Sequence, residues 1–544
     1  MRALAEDLRA QDAVLRHRGV EIWIGAEATF TDRTSQEPWW LFDAEGGDKE
    51  ERAVALLAAL ARRLEASRPE QLPGRHFPGE RAPRFCHGIR TQGGALFTAT
   101  PDPAVVEVNM APAPDLATYL AWCEAVHAAA ADAGLSAERF RFNGQATDSG
   151  GGGQVTVGGP SPEASPFFRH PQLLPRLVRW LANHPSLSYL FAPDCVGSAS
   201  QGPRPDEGAR ERLEELSVAL DRLERRGEHL APAELWESLA PLLVDASGNS
   251  HRAEVNVEKL WNPFIAGRGK LGLVELRSLR MQPTAARQAA VAALFRAVVA
   301  RVATVPYDEP LADWGAALHD QFALPHFLAE DLGAVLADLA DRGLGLGATA
   351  RALVADPPAP LAQVPLDGAT LTVTPAIEFW PLLGDVASQE HSGARLVDAS
   401  TARLQVAVTH APGAAPGRLC AAGWEVPLHP VDGGRRHLAV VRWRAFAPRP
   451  GLHPGLPALD PLVLHWERDG KRLAVELHGW IPGGGAYPGL PADAADAASR
   501  RLERVRIVEP PRLAPRAAPA PAGYTLDLRR MDGLRPPRAE GGAP

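Results

Sequence analysis

Glu275 and Arg277 stand two residues apart within Lys270–Met281 (KLGLVELRSLRM), where Leu271, Leu273, Val274, Leu276 and Leu279 leave few positions for charge. In a strand, alternate side chains point to opposite faces, so this carboxylate and guanidinium would share one face. Such a pair on an apolar strand either braces the structure or lines a pocket. Three other segments repeat the arrangement. In Val20–Thr31 (VEIWIGAEATFT), Glu27 lies opposite a face of Val20, Ile22, Ile24, Ala26, Ala28 and Phe30. Val105–Met110 sets Glu107 and Asn109 against Val106, Val108 and Met110, and Ser250–Lys259 (SHRAEVNVEK) sets Arg252, Glu254, Asn256 and Glu258 against Ala253, Val255 and Val257.

Taken singly, each acid reads as half of a salt bridge between strands. Taken together, strands of one sheet would converge their polar faces into a carboxylate-lined trough. Carboxylates on rigid strands suit Mg²⁺ or Mn²⁺, hard cations that take oxygen ligands and bridge to phosphates. Arg252 and Arg277, with the loop arginines Arg81, Arg84 and Arg204, would supply bidentate clamps for phosphate or carboxylate. Four consecutive glycines, Gly150, Gly151, Gly152 and Gly153, lead into a strand with Gln154 and Thr156 on one face. Glycine runs allow close approach of a ligand and anion-holding nests of N–H groups, although no Gly-Lys-Ser/Thr follows as in a Walker A loop. Acids for metal and arginines for phosphate point to ATP chemistry in a sheet-lined site.

The supporting elements follow in order. Amphipathic patterns predict helices over 1–18, 49–66, about 114–134, 171–183, 207–226, 284–303, 311–320 and 326–342. Asp206 is placed to cap the helix after it. A Pro-rich joint at 356–365 (DPPAPLAQVP) precedes a change of texture: short strands and Pro/Gly turns dominate from about 366 to 508, for example 402–408 and 438–443. The expected organisation is a first domain over 1–355, a β-rich domain over 356–509 and a disordered Pro/Arg-rich tail over 510–544.

Composition bounds the function. A net charge of −8 with no basic block argues against nucleic acid, and no run approaches the roughly 18 apolar residues of a membrane helix. Four scattered cysteines without a Cys-x-x-Cys pair fit reduced thiols in a cytoplasm. Only four lysines occur, Lys49, Lys259, Lys270 and Lys471. No histidine pair has metal-ligand spacing, and His251 is the one histidine beside the expected trough.

Longer stretches resemble the bacterial amidoligase family DUF2126, related to the glutamine synthetase and glutamate–cysteine ligase superfamily. They are GAEATF (25–30), HFPGERAPRF (76–85), EVNMAP (107–112), GGPSPEASPFFRHPQLL (158–174), NHPSLSYLF (183–191), SQGPRPDE (200–207), DASGNSHRAEVNVEKL (245–260), GKLGLVELR (269–277), ALHDQFALPHF (317–327) and VDASTARLQV (397–406). The resemblance implies an α+β fold of glutamine synthetase type, a curved, mostly antiparallel sheet backed by helices. It implies an ATP- and Mg²⁺-dependent ligase that joins a small-molecule or peptide carboxylate to an amine through an acyl phosphate. Carried over residue by residue, Glu27, Glu107 and Glu275 would hold metal, and Arg277 and Arg252 would hold phosphate or the substrate carboxylate. Gly150–Gly153 and Gln154 would lie over the nucleotide, with Arg84 and Arg204 as clamps. The chain departs from the family pattern at Gln154, where a histidine is expected, and at Arg280, where an acid is expected. Those departures imply either an altered substrate or an inactive relative kept as the protein partner of a peptide-modifying system.

Overall fold

The computed structural model describes residues 1–32, 47–75, 84–102, 105–149, 152–192, 195–264, 269–384, 396–448, 451–509 and 515–531, with backbone alone at 47–48, 73–75, 84–85 and 102. Period-two alternation appears as strands β1 (Trp23–Phe30), β2 (Glu70–Arg75), β3 (Arg84–Arg90), β4 (Leu96–Asp102) and β5 (Val105–Ala113). A small hairpin, β6 (Glu138–Phe140) and β7 (Ala146–Asp148), stands apart; β8 (Gln154–Gly158), β9 (Val255–Asn256) and β10 (Val274–Leu276) rejoin the first five. The eight strands run in the order β2-β3-β4-β5-β1-β8-β10-β9, and every neighbouring pair is antiparallel.

One face of this sheet is the core face. Ala26, Ala28 and Phe30 of β1, Val106, Val108 and Met110 of β5, Val155 and Val157 of β8, and Val274 and Leu276 of β10 are all buried in one cluster. An antiparallel sheet with one face on a core leaves the other for polar side chains, which is why the alternation was so legible. The helices Arg2–His17, Gly47–Leu64, Leu116–Asp132, Leu173–Asn183 and Ala285–Thr304 contribute to the same cluster. Ala285–Thr304 is buried on every side from Gln288 to Val302, as expected of a helix surrounded by other helices. Of its two deeply placed cations, Arg296 reaches the Asp12 carboxylate and the Ile22 carbonyl (2.9 Å), and Arg301 reaches the Asp338 carboxylate (3.0 Å). A buried guanidinium needs such partners.

Two expected strands are much shorter than their pattern. In Ser250–Lys259 only Val255–Asn256 pairs, because the Asp245 carboxylate accepts the N–H groups of Ser247 and Asn249 (both 2.9 Å) and curls the chain into a turn. In Lys270–Met281 only Val274–Leu276 pairs; Gly272 takes φ +68° and breaks the ladder. The expected helix over 311–320 reduces to Ala317–Asp320.

The chain beyond residue 361 forms a second apolar core between two sheets. One sheet runs Ala362–Leu366, Ala369–Ala376, Thr401–Thr409, Arg436–Arg444, His429–Val431; the other runs Trp424–Val426, Arg418–Ala421, Leu462–Arg468, Lys471–Leu477, Val505–Val508. The tail is corrected here. Thr525–Asp527 pairs in parallel with Arg436–Arg444, and Leu526 and Leu528 are buried in the second core. Two leucines at strand spacing outweigh the prolines around them. Residues 510–514 and 532–544 lie outside the described residues. Among the described residues no helix is long and apolar enough to cross a membrane.

Candidate active site

The polar face of the eight-stranded sheet gathers most of the expected side chains into one row. Register fixes it: Thr29 of β1 faces Glu107 of β5, Glu27 faces Asn109 on one side and Gln154 on the other, and Glu275 faces Thr156 and Asn256. Directly opposed residues on one face stand about 5 Å apart between Cβ atoms, so this row is a continuous surface of donors and acceptors. Asn109 Nδ2 donates to Glu107 Oε1 (2.6 Å).

At the centre, Arg277 Nη1 donates both to Glu275 and to Gln154 Oε1 (2.8 Å). Gln154 is fully buried, and Glu275 and Arg277 are nearly so. Gln154, which occupies the position of an expected histidine, therefore holds the Arg277 guanidinium by its carbonyl oxygen. Lys259 closes the other side of Glu275 and reaches within 4.0 Å of Glu27 Oε2. Burial alone would raise the Glu275 carboxyl, but Lys259 and then Arg277 overcome it and hold its pKa down at about 2. Burial works against the Lys259 ammonium, yet Glu275 and then Glu27 raise its pKa. Glu275, Lys259 and Arg277 thus favour one another's charged forms.

Two buried donors in it, Arg277 Nε and Gln154 Nε2, have no acceptor among the described residues. Leaving a buried donor unsatisfied costs about 1–3 kcal/mol, which an anionic ligand would recover. His251 lies beside the cluster, 3.2 Å from Glu258.

Gly153 explains part of the glycine run. It has φ +78°, its N–H donates to Glu27 O (2.8 Å), and a Cβ there would stand 2.2 Å from the Arg280 carbonyl. The glycine lets the chain cross between β1 and residues 280–281, so packing alone requires a glycine here. Gly150 and Gly151 lie outside the described residues, as do Arg81 and the side chain of Arg84.

Two candidate arginines lead elsewhere. Arg252 falls on the turn before β9, 3.9 Å from Asp245. Arg204 is sealed in a second buried cluster: Asp206 takes its Nε and Nη2 (2.8 and 2.7 Å), and Leu181 O, Ala182 O and Ser188 Oγ take the rest. Asp206 therefore grips Arg204 where a helix cap was expected. Arg204 has no donor left for a nucleotide.

Glu254 belongs to that cluster, accepting from Ser188 Oγ and lying 3.9 Å from Arg204. Burial raises its carboxyl to a pKa of about 7, with Arg204 and Ser188 opposing, because Arg204 is committed to Asp206. An acid raised above its ordinary value near 4.5 keeps its proton in the folded chain while the unfolded chain has released it. The folded state binds more protons between those values, so stability falls as pH rises across that window. Glu254→Gln should flatten the fall in melting temperature between about pH 5 and 7; parallel profiles for the two proteins would show Glu254 ionised throughout.

Lys259 is a member of the cluster that no sequence motif marks. Its signal was its rarity, one of four lysines and placed just after a polar-faced strand.

The family model described as "Putative amidoligase enzyme (DUF2126)" matches residues 92–529. Solved structures similar to the chain include "GmaS/ADP complex-Conformation 1" (14% identity, 64% of this chain and 71% of that one, TM-score 0.30). Another is "Crystal structure of novel glutamine synthase homolog" (18% identity, 64% and 69%, TM-score 0.31). Likeness at that level says nothing about the chemistry of this chain. No curated protein matches it.

Proposed function

Because the chain belongs to the DUF2126 amidoligase family, we propose that it is an ATP- and Mg²⁺-dependent carboxylate–amine ligase, forming an amide through an acyl phosphate on the polar face of the eight-stranded sheet. The observation that supports this reading most is the convergence of Glu27, Glu107 and the Glu275–Arg277 pair from three segments of the sequence onto one face.

The donor set suits the group it would have to hold. Glu27, Glu107 and Glu275 offer carboxylate oxygens from β1, β5 and β10, the ligand type that Mg²⁺ or Mn²⁺ prefers. When bound, the divalent ion would neutralise phosphate charge and polarise the transferred phosphoryl group. The chain's own contribution is positioning and charge. Arg277, fixed by Gln154 and Glu275, presents a guanidinium that cannot swing away, and its unpartnered Nε–H is a ready donor for a phosphoryl or carboxylate oxygen. Burial of Glu275 and Gln154 keeps water from the centre of the cluster and so strengthens every charge interaction there.

The test supplies the protein with Mg²⁺, ATP and a panel of amino acids as carboxylates, with ammonia or primary amines as acceptors. Phosphate release matched by an amide product in mass spectra is expected. Phosphate release without any amide would replace the ligase reading by phosphotransfer on the same site.

A further inference from the structure

We infer that Lys259 is a resident counter-cation of the trough, seated between Glu275 and Glu27 where a divalent ion would sit and displaced when that ion binds. The inference rests on the reading of the trough as a metal site.

The geometry separates the two cations that touch Glu275. Arg277 is held from both sides, by Glu275 and by Gln154 Oε1, with a side chain only 10% exposed. Lys259 is different. Its side chain is 30% exposed, against 10% for Arg277 and 2% for Glu275. Its backbone is pinned, because Lys259 O accepts the N–H groups of Leu271 (2.9 Å) and Leu273 (3.4 Å). A fixed backbone under a long, partly exposed stem lets the head group move without moving the sheet.

Charge gives the reason to move. Glu27 and Glu275 stand on β1 and β10, with β8 between them, so a cation reaching into the gap is what links the two acids. Lys259 places a positive charge between the two carboxylates and so offsets their mutual repulsion. A divalent ion bound to the same oxygens would stand against the ammonium, and like charges at that separation in a buried site repel strongly. One of the two must leave. Lys259 is the more exposed and less tightly held of the two cations on Glu275, so the ion has to compete with it for the same oxygens.

The scarcity of lysine makes the test direct. Wild-type protein is acetylated with an amine-reactive ester in the presence and absence of Mn²⁺ alone, and the four lysines are quantified by mass spectrometry. Modification of Lys259 should rise several-fold with Mn²⁺ while exposed Lys471, paired to Asp367, stays constant as the internal reference. In parallel, Lys259→Met should bind Mn²⁺ about tenfold tighter than wild type, since the competing charge is gone. If that variant does not fold, the wild-type labelling decides alone. Mn²⁺ binding to wild type with Lys259 labelling unchanged or reduced would overturn the inference and leave the metal trough standing. Absence of Mn²⁺ binding to both proteins would overturn the metal reading and this inference with it.

Discussion

Glu275→Gln should abolish the Mg²⁺-dependent part of ATP binding. The change keeps the shape of the side chain and removes the charge to which everything at the centre of the trough is tuned. Glu275 is 2% exposed and is bracketed by Lys259 and Arg277. Without it those two cations face one another across a neutral amide, and a divalent ion loses a carboxylate while still facing the fixed Arg277. Outer-shell partners of a metal typically account for about 10- to 100-fold in affinity, so loss of a direct carboxylate should exceed the upper end of that range. The substitution also strands buried charge, at a stability cost of about 3–5 kcal/mol. Calorimetry on protein shown by circular dichroism to be folded checks the prediction. A folded variant that still binds Mg·ATP as wild type does would remove Glu275 from the metal set.

Arg277→Lys should separate the two duties of that residue. The positive charge beside Glu275 survives, so metal affinity should stay within a few-fold of wild type. The planar fork does not survive: lysine cannot hold Gln154 and Glu275 at once and still present a further N–H to a phosphoryl oxygen. A hydrogen bond to a charged group is worth about 1.5–3 kcal/mol, so affinity for Mg·ATP should fall between roughly tenfold and a hundredfold. Mn²⁺ titration and ATP titration of the same preparation read the two effects separately. Equal losses in both would mean that Arg277 serves only to hold the sheet together.

How far the site could be read from sequence depended on what shaped each segment. β1, β5 and β8 stand on a half-buried antiparallel sheet, whose period of two leaves a direct imprint; Glu27, Glu107 and Gln154 were placed on the polar face for that reason. β9 and β10 carry the same imprint over ten or so residues, yet pair over two and three, because the Asp245 turn and Gly272 end them from outside the pattern. Arg252 and Glu254 were consequently assigned to the trough and found elsewhere. Arg204 was misjudged for another reason: an arginine in a Gly/Pro loop looks the same whether it clamps a ligand or fills a buried socket, and only Asp206 with the Leu181 and Ala182 carbonyls decides. Thr525–Asp527 was invisible because a lone parallel strand depends on a neighbour more than 80 residues earlier.

The measurement that bears most directly on the account is calorimetric titration of ATP into the wild-type protein, first with Mg²⁺ and then with EDTA. Saturable binding that requires Mg²⁺ is the predicted result, since the acids of β1, β5 and β10 would hold the ion and Arg277 the phosphate. Binding that is equally strong in EDTA, or absent under both conditions, would contradict it.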